Sequence, residues 1–81
     1  MKKLINVTQK DIDNGMVVTC SRCPNALALS REIGKPCSFG PFNWWINSEF
    51  DFYKSPANAV NFMKAFDQGE PVKPYSFEVE Y

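Results

Sequence analysis

Residues 20–34, Cys20-Ser21-Arg22-Cys23-Pro24-Asn25-Ala26-Leu27-Ala28-Leu29-Ser30-Arg31-Glu32-Ile33-Gly34, decide how the chain is organised. Proline suits the first turn of a helix, where its fixed φ is already helical and its missing N–H has no partner to lose. Cys23 is therefore the expected N-cap and Gly34 the residue that stops the helix. Between them a stripe through Ala26, Leu29 and Ile33 faces a core, while Asn25, Ser30, Arg31 and Glu32 supply the polar side. The helix start also sets N–H groups and a positive dipole end beside Cys20 and Cys23, with Arg22 between them. Those are conditions that lower a thiol pKa or hold an anion.

Working outward, the segment before this helix predicts a strand over Lys2–Val7, with Ile5 and Val7 on one face and Leu4 on the other. Thr8 caps a short helical turn over Gln9–Asp13, with Asp11 at N3, and Asn14-Gly15 ends it. Met16–Thr19 is a β-branched stub leading to Cys20. After the helix, Lys35–Phe39 and Phe42–Asn47 flank Gly40-Pro41 as two strands joined by a turn. Phe42, Trp44 and Ile46 share one face and Trp45 the other. Ser55-Pro56 opens a second helix over Ala57–Gln68, with Ala59, Val60, Met63 and Phe66 at helical spacing. Tyr75, Phe77, Val79 and Tyr81 then alternate with Ser76, Glu78 and Glu80 as a last strand. The expected fold is α+β in a single domain, residues 1–81. It is a small antiparallel sheet of three to four strands with two helices packed on one face, in the order β-α-β-β-α-β of a ferredoxin-like arrangement.

Composition narrows the function classes. The formal charge is zero, with no histidine and three cysteines. Residues 1–48 carry six Lys or Arg against three Asp or Glu, and residues 49–81 carry three against six. A neutral total disfavours a nucleic-acid partner, which needs a strong field of one sign. The absence of histidine removes Ser-His and Cys-His catalysis, no Gly-rich phosphate loop is present, and the acid pairs Asp11/Asp13 and Glu49/Asp51 suit solvated caps better than a proton-sharing dyad. The expectation is a protein that is not an enzyme and needs no cofactor. Neither a signal-peptide core nor a membrane-length apolar run is seen, so the expected location is cytoplasmic, with reduced thiols and no membrane contact.

Seven aromatics fall between Phe39 and Tyr53, too many for one strand face. Trp45, Phe50 and Tyr53, rimmed by Glu49 and Asp51, are the expected partner-binding residues. Self-association through this surface or the edge of the last strand is a further expectation. Two other readings remain open. One is a thiol-redox or metal-binding module centred on Cys20 and Cys23, with Cys37 as a third ligand; a closed zinc site then needs a carboxylate, water or a cysteine of another subunit as the fourth. The other is a nucleotide-binding module using the helix start and Arg22 as an anion site.

Three motifs carry a resemblance: Val7-Thr8-Gln9-x-x-Ile12-Asp13-x-Gly15, Cys20-x-x-Cys23-Pro24-x-Ala26-Leu27-Ala28-Leu29, and Phe66-Asp67-x-Gly69-Glu70-Pro71-Val72 followed by an aromatic-acidic end. In this order they resemble a family of small uncharacterised bacteriophage and actinobacterial proteins. The resemblance implies a phage-type accessory protein that binds a host protein, with inhibition of a host defence as one use and host-cell cytoplasm as its place of action. It brings no catalytic residue.

Overall fold

The computed structural model describes residues 1–81. Strand β1 (Lys2–Val7) runs into helix α1 (Gln9–Asn14), and the long loop that follows enters α2 (Pro24–Ile33). A reciprocal capping box starts α1: Thr8 Oγ1 accepts the Asp11 N–H at 3.2 Å, and the Asp11 carboxylate accepts the Thr8 N–H at 2.9 Å. Helix α2 begins as its sequence dictates, with Cys23 extended at the N-cap and Pro24 in the first turn. It stops at Gly34, whose φ of +82° is left-handed and natural to glycine.

Strands β2 (Cys37–Phe39), β3 (Asn43–Ile46) and β4 (Phe52–Lys54) follow, then helix α3 (Ala57–Asp67) and strand β5 (Tyr75–Glu80). The class is α+β, as expected, but the strands do not make one sheet. β1 pairs antiparallel with β5 in a two-stranded sheet, and β2-β3-β4 form a separate three-stranded antiparallel sheet. The ferredoxin-like layout is thereby corrected, as is the count of helices, which is three.

Side chains from the helices reach the outer edges of the two-stranded sheet. At Asn6 the outer edge of β1 is occupied by α2: Arg31 Nη2 donates to the Asn6 carbonyl at 2.7 Å, and the Glu32 carboxylate accepts the Asn6 N–H at 3.4 Å. On the outer edge of β5, Asn58 Nδ2 from α3 donates to the Ser76 carbonyl at 3.2 Å. The Asn6 N–H and carbonyl and the Ser76 carbonyl are satisfied in this way without a further strand.

One core joins both sheets to α2 and α3. In the β1–β5 register Ile5 lies opposite Phe77 and both are buried, while Leu4 lies opposite Glu78 and both are exposed. Phe77 meets Phe39 of β2 edge-to-face, with ring centroids 5.9 Å apart, so an aromatic contact bridges the sheets. Ser30 ties α2 to β2 by donating to the Ala26 carbonyl and accepting the Cys37 N–H, at 2.8 and 2.9 Å.

Three local expectations are corrected. Met16–Thr19 is a turn rather than a strand stub, because its Met16 N–H turns back to the Arg22 carbonyl at 2.8 Å. Phe42 falls outside β3 and is 81% exposed instead of sharing the buried face of Trp44 and Ile46. Asn25, assigned to the polar side of α2, is fully buried. No helix is long and apolar enough to cross a membrane.

Candidate functional site

The three-stranded sheet has two unlike faces because side chains alternate along each strand. Trp44 lies opposite Phe39 and Tyr53, whereas Trp45 lies opposite Ser38 and Phe52. Trp44 and Phe39 are wholly buried, so that row is the inner one. The Ser38-Trp45-Phe52 row forms the outer face.

On the inner face Tyr53 stacks on Trp44, with centroids 4.8 Å apart, and meets Tyr81 edge-to-face at 6.2 Å. The buried Nε1 of Trp44 has no hydrogen-bond partner, so the ring is held by packing and aromatic contacts. Tyr53, expected in the partner-binding patch, is half-buried and belongs to the inner row with Trp44. On the outer face Trp45 is half-buried and packs edge-to-face against Phe52, with centroids 5.5 Å apart and planes at 64°. Phe52 remains 66% exposed, and Phe50, in the loop between β3 and β4, is 98% exposed. Two large apolar side chains are thus offered to water within three residues of sequence.

Of the residues expected there, Trp45 and Phe50 lie on or beside the outer face. Glu49 forms an ion pair with Lys35 at 3.2 Å, and Asp51 is exposed without an ionic partner. Phe52 was not among the expected contact residues, and the signal for it was present: once Tyr53 faces inward, its neighbour must face out.

The cysteine region is arranged differently from its expected chemistry. Cys20 is exposed, whereas Cys23 and Cys37 are buried, and all three are free thiols. Burial pushes the Cys23 thiol up from 9.0 to about 11; the N–H groups of Ala26 and Asn25 at the helix start oppose this, and Asp67 and Cys20 reinforce it. The expected lowering at Cys23 is thus corrected, because desolvation outweighs the helix dipole. Burial likewise takes Cys37 to about 11, with Glu49 adding to the effect. No group of three His, Cys, Asp or Glu side chains converges to hold a metal ion. The first residues of α2 are themselves buried, while Arg22 is exposed and makes no ion pair, so the helix start is not an open anion cradle.

The loop before α2 contains the one non-glycine residue with positive φ, Val18 at +54°. For a β-branched side chain this conformation costs about 1–2 kcal/mol. The Asp67 carboxylate at the end of α3 holds it there by accepting the Val18 N–H at 3.0 Å. Compared with known proteins, the chain matches no family model, no curated protein and no solved structure.

Proposed function

We propose that this chain is a non-enzymatic protein-binding domain, and that its partner lies against the outer face of the three-stranded sheet. The observation that carries the reading is the Trp45–Phe52 pair, an aromatic contact whose Phe52 remains 66% exposed, with Phe50 98% exposed two residues earlier in the chain. Rigid aromatics lose little conformational entropy on binding and supply large area, which is why they recur as interface anchors. Glu49, Asp51, Lys35 and Lys54 give the patch a charged surround. The resemblance to phage proteins supports a host protein as the partner, with interference in a host defence as the consequence. Self-association through the same face is the competing use.

The test pairs capture with a surface variant. Tagged wild type and a Phe50→Ala/Phe52→Ala double variant are expressed in the same host cells, and the retained proteins are compared by mass spectrometry. Both residues are exposed, so the variant retains its thermal transition and loses the specific partner. An unchanged set of retained proteins would sink the assignment of this face.

A further inference from the structure

A second feature lies near the other end of β3, away from the loop that carries Phe50. A cleft of about 210 Å³ opens between the turn joining β2 and β3, the Val18–Cys20 loop and the C-terminal half of α3. Its walls include Val18, Phe39, Pro41 and Met63, with Thr19, Cys20 and Asp67 as the polar members. Phe39 and Met63 belong to the buried core and form a fixed wall, whereas Val18 is 79% exposed and stands at the opening.

The charge at this cleft is uncompensated. The ion pairs of the molecule join Arg31 to Asp11 and Lys35 to Glu49, so Asp67 has no counter-cation. One Asp67 oxygen accepts the Val18 N–H, and no protein donor meets the other. The same hydrogen bond keeps Val18 in its left-handed conformation, which ties the shape of the opening to the carboxylate. Strain of this kind persists where surrounding groups over-determine it, often at ligand clamps.

We infer that this cleft is a binding site for a lysine side chain of a protein partner. Lysine divides into a methylene stem that packs on apolar surface and an ammonium that remains at a polar rim. The walls from Phe39, Pro41, Met63 and Val18 match the stem, and the Asp67 carboxylate matches the ammonium with a charge-assisted hydrogen bond. The adjoining exposed Met16 and Val17 extend the apolar lip, so the lysine arrives on a segment of chain that covers them. This inference is independent of the aromatic face, and either can fail alone.

The experiment titrates the intact protein with N-acetyl-lysine-N′-methylamide, N-acetyl-norleucine-N′-methylamide and n-butylammonium, reading amide shifts by NMR. The capped lysine is expected to move the signals of Val18, Cys20 and Met63 and to bind roughly fivefold tighter than the uncharged norleucine compound. Asp67→Asn keeps an acceptor for the Val18 N–H and removes the charge, so in that variant the two capped compounds bind equally. Equal binding of the two by the wild type, or shifts centred outside the cleft, overturns the inference. Tighter binding of n-butylammonium than of capped lysine overturns the protein source and makes a free alkylamine the ligand.

Discussion

The Tyr75 hydroxyl donates to Asn25 Oδ1 at 2.6 Å, across 50 residues of sequence. Asn25 Nδ2 in turn donates to the Ala59 carbonyl at 2.9 Å, so one buried amide joins β5, α2 and α3. Side chains of both helices also share the core, through Ala26 and Leu29 of α2 and Ala59 and Met63 of α3. Tyr75→Phe leaves the Asn25 oxygen buried without its donor and is expected to cost about 1–3 kcal/mol. Asn25→Ala also strips the Ala59 carbonyl and opens a cavity, so its cost is the larger of the two. Urea midpoints measure both, and a Tyr75→Phe protein as stable as wild type would show that water replaces the hydroxyl.

The three thiols are expected to separate cleanly by reactivity. Cys20 is exposed and takes up iodoacetamide in the native protein, whereas Cys23 and Cys37 are modified only on unfolding. Intact mass before and after adding urea reads one adduct and then three. Rapid native modification of Cys23 would contradict its burial.

Alkaline stability follows from the same two buried groups. Each thiol is raised from 9.0 to about 11 by burial, so the folded state favours the neutral form. Their contribution is fully present below pH 9 and is lost as pH rises through about 11. Tyr75, whose hydroxyl is raised chiefly by burial, acts in the same direction at higher pH. Urea midpoints measured from pH 8 to 11 should fall, and Cys23→Ala should make the fall shallower.

At the acid end the controlling group is Asp11. Burial by itself would raise its pKa, but the Arg31 guanidinium at 2.6 Å and the Thr8 backbone and hydroxyl outweigh it and hold the carboxyl below its ordinary 3.8. The stability it supplies is present above pH 3.8 and is lost as pH falls through the lowered value. Arg31 is nearly half exposed, which weakens the pair, so Asp11→Asn is expected to lose about 1–2 kcal/mol through the cap and the ion pair together. Acid unfolding followed by circular dichroism should also begin less steeply in the variant.

Gly15 tests the packing of α1 against the start of α2. A Cβ there would lie 2.6 Å from both Cδ and Cγ of Pro24, whose ring is buried and fixed in the first turn. Gly15→Ala is expected to destabilise by about 1–3 kcal/mol, although its φ of −70° suits alanine. A neutral result in thermal unfolding would mean that the loop moves aside without penalty.

Local sequence rules were sufficient for the elements. Thr8 and Asp11 marked a capping box, Pro24 and Gly34 marked the ends of α2, and the alternation from Tyr75 to Val79 marked β5, because each signal depends on neighbours a few residues apart. The candidate site was legible only in part. Trp45 and Phe50 stood out as surplus aromatics, but placing Tyr53 inside and Phe52 outside required the β3–β4 register.

The sequence by itself determined the α+β class, the ends of α2 and the surplus of aromatics over any single buried face. Tertiary structure alone decided that the strands divide into two sheets, since strand pairing joins residues as remote in sequence as Lys2 and Glu80. It also decided the chemistry of Cys23. A helix start lowers a thiol pKa through local dipoles, but burial raises it through the removal of water, and water is removed only by the packed chain.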